Sequence, residues 1–568
     1  MHPTLRGPGA ARQHSDAQAF ASGAARADAP AGHWAMAAGV FTVLAIVHTW
    51  PLATNPGVLS RNDNGDTQLN EWILAWVAHQ LPRNPAGLFD ANIFHPAADV
   101  LAFSEPLVIP ALMAAPLLWL DASPVLAHNL VLLAGFALTG LATYALVVSW
   151  TGDRLAGTLA GSLFAFNTHT LMRLAHIQGI HIWGLPLALL FADRVLTRPG
   201  PAAALSLGAV MAAMAYTSGY LIVFATLMVG IAALARAPAW RPHPRQSLGA
   251  LALAACVAAV LVVPLAVPYR RVAVEQNMVR SLEIVRDHSA TLEGYLSSAG
   301  RIHLATWSGH LLERPMDAFF PGVLAIGLAA VALYAALFRQ AEPGRVAMLC
   351  AVGASGLVLS LGLQTPVYGW IFSVFPPMQG LRAAARFGNL FLLAMALLAG
   401  LGLAWLRRSR PRARLAQPLA IAAIVIVNLE ALRAPFDYPR FEGIPGIYRI
   451  LADEPGPVVL VETPFYPPPA IFENAEYVLN STAHWRPLMN GYSGHTPESY
   501  RQIAWTFWYF PDDAAVAAMR EAGVTHVTVH PRRYGGEAAE TIARLARHPD
   551  LELIAVSAER GIRLYRLR

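Results

Sequence analysis

Apolar stretches long enough to cross a lipid bilayer recur along most of this chain, and they constrain its fold more than any other feature. A transmembrane helix needs about 20 apolar residues to cross a hydrocarbon core of ~30 Å. Such stretches, some a few residues shorter, follow one another from residue 34 to residue 432. Charged residues make up only 13% of the chain, whereas a soluble domain carries about 25%. The sequence therefore predicts a mostly helical, polytopic membrane protein.

The arginine-bearing loops order the predicted transmembrane helices, because short loops rich in arginine stay in the cytoplasm. These loops, at residues 151–154, 193–200, 236–245, 339–345 and 407–414, fall on one side if the helices alternate. We predict about eleven transmembrane helices. They cover residues 34–53, 125–149, 155–166, 180–196, 202–216, 221–235, 248–267, 323–338, 346–363, 390–406 and 415–432.

The chain before residue 436 divides into a tail and a membrane domain. Residues 1–33 are predicted to be a disordered cytoplasmic tail, and residues 34–435 the transmembrane domain. Within it, residues 54–124 form a large external loop, because counting the apolar stretch 106–120 as a crossing would invert every later arginine loop. We predict that this stretch and the tryptophan-bearing stretch 71–81 are helices at the outer membrane surface.

The sequence changes character after residue 435. Short strand-like stretches and stretches with helical spacing predict a small extracytoplasmic α/β domain over residues 436–568. The strand-like stretches are 456–464, 524–531 and 551–567, and the helical ones are 512–523 and 537–548. The whole is predicted to be a multi-pass protein of the bacterial inner membrane with this domain outside the cytoplasm.

One segment of this domain, NSTAHWRPLMNGYSGHTPESY at 480–500, is dense in aromatic, histidine and amide side chains without periodicity. It is predicted to be a loop. Two interpretations are equally open: the loop faces a substrate, with His484 and Arg486 as binding residues, or it is a lid over the membrane domain.

Carboxylates gather just past the first predicted span, in SRNDNGDTQLNEWILAWVAHQ at 60–80. A carboxylate at the outer membrane surface can act as a general base between a lipid-borne reagent and an external acceptor. Asp66 is the leading candidate, because Gly65 allows a tight turn or close substrate approach. Asp63 and Glu105 are the further catalytic candidates. The alternative is a solvated turn in which an aspartate caps the next helix, with Glu105 as a helix N-terminal charge.

The order of these features resembles the C superfamily of polytopic glycosyltransferases, which includes protein mannosyltransferases and lipid A aminoarabinose transferases. The resemblance covers about residues 34–196: a first span, a long outer loop that opens on an acidic residue, and a helix pair with the turn FNTHTLMRLAHIQGIH. The usual Asp-Asp or Glu-x-Asp signature is met only by the looser DNGD.

The chain is also similar to a group of bacterial membrane proteins of unassigned function. In that group a Gly-Asp motif in the first loop, a segment like LRAAARF before a late span and a C-terminal segment like HWRPLMNGYSG occur together. All three are present here.

The superfamily resemblance implies a sugar donor carried on a polyprenyl phosphate and an inverting displacement in which an acidic residue deprotonates the acceptor. Fixed cations should then stabilise the lipid phosphate that leaves. The candidates for binding the lipid phosphate or the substrate are Arg173, His176, Arg382, Arg386, His484 and Arg486.

Each cationic candidate has a simpler interpretation. Arg382 and Arg386, predicted to share one helical face, are suited to anchoring at the lipid headgroups. His169, His176 and His181 are more readily packing or interfacial residues than metal ligands, since their spacing matches no recognised metal pattern.

The resulting prediction is a membrane glycosyltransferase whose partners are the bilayer and a polyprenyl-phosphate-linked sugar. A transporter or flippase-like protein for lipid-linked saccharides, and a non-catalytic envelope assembly protein, are the alternatives. Transporters typically contain internal repeats and charges at the membrane midplane. This sequence has no internal repeat and few charges within its predicted spans. Nucleic acid is not an expected partner, because the arginines are dispersed between apolar stretches. No cofactor is certain, and a divalent cation is left open.

Overall fold

The structure, a computed structural model, describes residues 32–278, 280–312, 314, 317–338, 340, 342–409 and 414–568, so nearly all of the predicted tail lies outside it. Its apolar helices are Gly32–His48, Val108–Leu118, Pro124–Thr151, Arg154–Ala165, Gly184–Thr197, Pro201–Thr217, Gly219–Ala235, Pro244–Glu275, Val323–Leu337, Pro343–Ser360, Gly388–Ser409 and Ala416–Ala431. Shorter helices in the same half are Thr168–Leu171, Ala237–Trp240, Leu282–Asp287, Leu292–Leu296, Arg301–Thr306 and Pro366–Val374.

The helices of the described residues include five that are long and apolar enough to cross a membrane. These are Pro124–Thr151, Ile177–Thr197, Pro244–Glu275, Pro343–Ser360 and Ala384–Ser409. The prediction of a multi-pass membrane protein is therefore confirmed. Every predicted span contains a helix, but several have only 10–17 residues, so the count of about eleven crossings stays a prediction.

Ion pairs bring several of the arginine-bearing loops together at one end of the helices. Arg345 Nε lies 3.1 Å from a carboxylate oxygen of Asp193, and Arg407 Nε lies 2.6 Å from one of Asp153. The Arg345 guanidinium also stacks over the ring of Trp150, 5.1 Å from its centroid. Loops that the sequence assigns to one side of the membrane are thus neighbours in space.

Two helices within residues 54–124, the first large loop, pack against each other. Val108–Leu118 has 11 residues and is about 16 Å long, too short to cross a bilayer. The other, Gly65–Gln80, is almost completely buried, and Trp76 is 5% exposed. The prediction that residues 71–81 lie on the membrane surface is therefore wrong. The C-terminal domain covers them, and Trp485 packs against Trp76 with ring centroids 6.0 Å apart.

The C-terminal part of the chain forms the predicted small α/β domain. Its strands are β1 (Leu460–Thr463), β2 (His526–Val529), β3 (Leu551–Val556) and β4 (Arg563–Leu567), in the order β1-β2-β4-β3. Strands β1 and β2 are parallel, and the other pairs are antiparallel. Its helices are Tyr448–Asp453, Ala475–Asn480, Glu498–Trp508, Asp513–Glu521 and Ala538–Leu545.

Backbone hydrogen bonds join this domain to the first large loop, residues 54–124. The N–H of Met489 donates to the carbonyl of Leu460 on β1 (2.9 Å), and the N–H of Leu488 donates to that of Asn92 in the loop (2.7 Å). The segment that leads into the domain is also hydrogen-bonded to this loop, because the N–H of Ser60 donates to the carbonyl of Pro439 (3.1 Å). The residues that follow Met489 are thereby held against the start of the buried helix of that loop.

Candidate functional site

The acidic turn of the first loop begins helix Gly65–Gln80, and an asparagine caps it. The side-chain oxygen of Asn64 accepts a hydrogen bond from the N–H of Asp66 (2.9 Å). The prediction that an aspartate caps this helix is therefore wrong. Because the cap does not occupy the Asp66 carboxylate, that group is available for other contacts, at a helix end that favours negative charge.

Two side chains from distant parts of the sequence hold the Asp66 carboxylate. The hydroxyl of Tyr492 donates a hydrogen bond to Oδ1 (2.8 Å), and His176 Nε2 lies 3.1 Å from Oδ2. The Asp66 side chain is still 32% exposed. Burial raises its pKa, but His176, Tyr492 and the positive charge of Arg382 outweigh burial and lower the pKa to about 2. Asp66 is therefore an ionised carboxylate at neutral pH.

Tyr220 organises the arginine-bearing segment that faces this carboxylate. Its hydroxyl accepts hydrogen bonds from the backbone N–H groups of Arg382 and Ala383, each at 3.0 Å. The Arg386 guanidinium lies over its ring, 4.5 Å from the centroid. The prediction that Arg382 and Arg386 share a helical face is wrong, because the short helix Ala384–Phe387 begins after Arg382.

A third arginine extends the positive charge. Arg173 is 8% exposed, and its Nη2 lies 3.5 Å from Oδ1 of Asp317, which also pairs with Arg314. Burial and the charge of nearby Arg386 lower the pKa of Arg173 to about 9, so the guanidinium stays protonated at neutral pH. Burial and the same Arg386 charge also contribute to the lowered pKa of His176. Arg173, Arg382 and Arg386 thus form one cationic cluster beside the pair of Asp66 and His176, and the lowered pKa leaves His176 itself uncharged at neutral pH.

Glu105 lies at the edge of this cluster, where its Oε2 accepts a hydrogen bond from the N–H of Gly219, the first residue of helix Gly219–Ala235 (2.8 Å). Burial raises the pKa of Glu105, and the charges of Arg386 and Arg382 oppose this only in part. The geometry matches the helix N-terminal charge that the sequence offers as the alternative to a catalytic role.

Other predicted site residues lie apart from the cluster. Asp63 pairs with Arg61 (3.1 Å), and its side chain is 46% exposed. Arg486 donates through Nη2 to the carbonyl of Glu454 (2.7 Å), and its own backbone N–H donates to Nδ1 of the buried His484 (3.0 Å). These contacts stabilise the C-terminal domain, and a substrate-binding role for His484 and Arg486 stays a prediction.

The three histidines of the weighed metal pattern separate in space. His176 contacts Asp66, His181 Nε2 contacts the carbonyl of Val131 (3.0 Å), and the ring of His169 packs on Phe319. Within the described ranges, no three His, Cys, Asp or Glu side chains are grouped so that they could hold a metal ion.

Sequence reasoning missed three residues of this site. Tyr492 lies in segment 480–500, whose unusual composition indicates a functional loop but does not distinguish this tyrosine from the other aromatic residues. Arg280 lies in the polar stretch after residue 268 and donates to the carbonyl of Gly494 (2.9 Å), and burial and the charge of Arg382 lower its pKa. Tyr220 lies directly before the predicted span 221–235, where nothing distinguishes it from an interfacial or packing residue.

No protein-family model and no curated protein sequence matches this chain. Among solved structures, it is similar to the arabinofuranosyltransferase AftD from mycobacteria, with a TM-score of 0.61 and 17% identity over 94% of this chain and 40% of that one. A mutant of AftD matches with a TM-score of 0.59, 15% identity and coverage of 94% and 41%.

A third similar structure is the archaeal oligosaccharyltransferase AglB from Archaeoglobus fulgidus, with a TM-score of 0.47, 13% identity and coverage of 94% and 74%. The chain spans about two fifths of the length of AftD. The similarity to AftD, at 17% identity, shows a shared fold.

Proposed function

We propose, from the premise that this chain has the fold of the C superfamily of polytopic membrane glycosyltransferases, that it transfers a sugar from a polyprenyl-phosphate donor to an acceptor of the cell envelope. One observation carries the proposal: an ionised, partly exposed Asp66 lies beside a cluster of arginines on the external loops. A base and a phosphate-binding cluster are the two groups that such a transfer needs.

Asp66 is the general base of the proposed reaction. The acceptor hydroxyl oxygen attacks the anomeric carbon, the bond from that carbon to the phosphate oxygen breaks with inversion, and the proton goes to Asp66. Because its pKa of about 2 makes Asp66 a weak base, proton transfer occurs late, when bond formation has made the acceptor oxygen acidic. Tyr492 and His176 keep the carboxylate oriented for this step.

The arginines stabilise the leaving group. The lipid phosphate takes the electron pair of the broken bond and gains negative charge, which fixed guanidinium groups stabilise more strongly in the transition state than in the donor. Arg386 is the best placed, because Tyr220 holds its guanidinium without using its hydrogen-bond donors. Arg173 and Arg382 add charge on either side.

The similarity to an arabinofuranosyltransferase suggests the first donor to test. AftD, by its name, transfers arabinofuranose. A polyprenyl phosphate that carries a pentofuranose is therefore the leading donor candidate for this chain, and hexose-carrying lipids are the comparison.

The test uses the full-length protein purified into lipid nanodiscs. Polyprenyl-phosphate pentoses and hexoses are supplied with an extract of envelope glycans, and release of free polyprenyl phosphate is measured for wild type and Asp66→Asn. We expect release with wild type and its loss with the variant. Failure to cleave any donor, or movement of an intact lipid-linked sugar across liposome membranes, would overturn the proposal.

A further inference from the structure

A cavity of about 240 Å³ lies beside the acidic turn, and none of the arginines of the cationic cluster lines it. Its walls come from three parts of the chain: the turn itself, the linker into the C-terminal domain, and the domain. Gln68 and Asp63 line it from the turn, Phe441 from the linker, and Asn480 and Arg560 from the domain. Asp66 is not among the lining residues.

Four of the five charged residues that line this cavity are in ion pairs, and the fifth, Arg440, is exposed to solvent. Arg560 lies 3.0 Å from an oxygen of Glu476 and 3.5 Å from one of Glu442, and Asp63 pairs with Arg61. Except at Arg440, a charged ligand would therefore have to break an existing ion pair. The pairing favours a neutral ligand that bonds to the remaining amide and carboxylate atoms.

The polar groups suit a ligand with several hydroxyls. Gln68 and Asn480 each add a side-chain amide to a wall that also carries carboxylates. The amide nitrogens donate to the carbonyl of Asn62 (3.1 Å) and the hydroxyl of Tyr448 (3.4 Å). Phe441 provides an apolar ring face beside them. Hydrogen-bonding amides and carboxylates next to an aromatic ring fit a sugar ring.

We propose that this cavity binds a neutral saccharide unit of the acceptor glycan. The inference rests on the proposed function, because it assigns the acceptor to this cavity and the lipid donor to the cationic cluster. Gln68 lies two residues after Asp66 in the same helix, which is about 3 Å along its axis. Residues two apart on a helix point to opposite sides, so a saccharide unit in the cavity would anchor a glycan that extends around the turn to bring its acceptor hydroxyl to Asp66.

Ligand-observed NMR on the full-length protein in nanodiscs tests the cavity without any turnover. The probes are methyl glycosides of glucose, mannose, galactose and arabinose, with inorganic phosphate and spermidine as charged comparisons. We expect saturable binding of at least one glycoside, with a Kd of about 1 mM. Gln68→Ala and Phe441→Ala should each weaken it about three- to tenfold. Gln502→Ala, an exposed glutamine elsewhere in the domain, should not.

Asp66→Asn separates this inference from the proposed function, since it should abolish sugar transfer and leave glycoside binding unchanged. Binding of glycosides without transfer from any lipid donor would overturn the proposed function alone. The cavity assignment is overturned if no glycoside binds, if only phosphate or spermidine binds, or if both cavity variants bind as wild type does.

Discussion

The hydroxyl of Tyr492 donates a 2.8 Å hydrogen bond to Oδ1 of Asp66, although 426 residues separate the two in sequence. A Cβ atom on Gly65 would lie 3.2 Å from Cε1 of Tyr492 and 3.2 Å from Cβ of Ala475, so the glycine permits this close approach. The C-terminal domain therefore contacts the proposed base directly. Of the two interpretations of segment 480–500, the contact favours a loop that faces the site.

Asp66→Asn should lower turnover by about 10²–10⁴-fold, the usual cost of losing a general base. Asparagine keeps the size of the side chain and can still accept the hydrogen bond from Tyr492, so folding should be retained. Asp121→Asn is the matched control, and it should cost little because Asp121 is exposed and belongs to neither the cluster nor the cavity. Turnover of Asp66→Asn within about twofold of wild type would remove Asp66 from the mechanism.

Tyr492→Phe should reduce kcat/KM about tenfold. A hydrogen bond to a charged group contributes about 1.5–3 kcal/mol, and the lower end applies because Asp66 is 32% exposed. Loss of this donor should also raise the pKa of Asp66 and move the acid limb of the pH–rate profile to higher pH. A purely structural tyrosine would change the melting temperature and leave the position of that limb unchanged.

Arg386→Ala should weaken use of the lipid donor more than it weakens folding. An ion pair between Arg386 and the lipid phosphate would contribute more to donor binding than a partly exposed arginine contributes to the stability of the fold. The measurements are donor turnover and thermal stability of one detergent-purified sample. Arg408→Ala removes an exposed arginine from the helix Gly388–Ser409 and serves as the control. Equal loss of activity and stability in Arg386→Ala would indicate a packing role instead.

Glu71 should make the protein less stable as the pH rises from about 4.5 to 8. Its carboxyl is completely buried and accepts hydrogen bonds from Ser60 (2.9 Å) and Asn62 (2.8 Å), and burial raises its pKa from 4.5 to about 8. The folded state thus holds a proton that the unfolded state loses, so this stabilisation is full below pH 4.5 and is lost as pH rises through 8.

The check is thermal unfolding across this pH range for wild type and Glu71→Gln, which keeps the shape without the titration. The melting temperature of Glu71→Gln should therefore depend less on pH than that of wild type. Identical pH profiles would show that Glu71 does not titrate in this range.

The topology prediction concerns Asn84 in the first loop and Glu537 in the C-terminal domain, both exposed. Single cysteines at these positions should both react with a membrane-impermeant maleimide from outside the cytoplasmic membrane, because the arginine loops fix the opposite face. The background chain carries Cys256→Ala and Cys350→Ala. Labelling at only one of the two positions would refute the arrangement of eleven spans.

The sequence by itself determined the elements. Apolar stretches marked the helices of the membrane domain, and three strand-like stretches marked the C-terminal sheet, although the third of them covers both β3 and β4. Lipid exposure and strand pairing leave a local record in composition. The order of features around Asp66 also pointed to the glycosyltransferase fold that the comparison with AftD bears out. Asp66, His176, Arg173, Arg382 and Arg386 were all named as candidates.

Only the tertiary structure decided how these residues act together. Neighbouring carboxylates in DNGD have the same local chemistry, and packing alone turns Asp66 toward His176 while Asp63 faces outward. The burial of the helix Gly65–Gln80 and the contact from Tyr492 depend on a domain folded from the far end of the chain. Contacts at that separation are set by the packing of whole elements, and residue spacing does not record them.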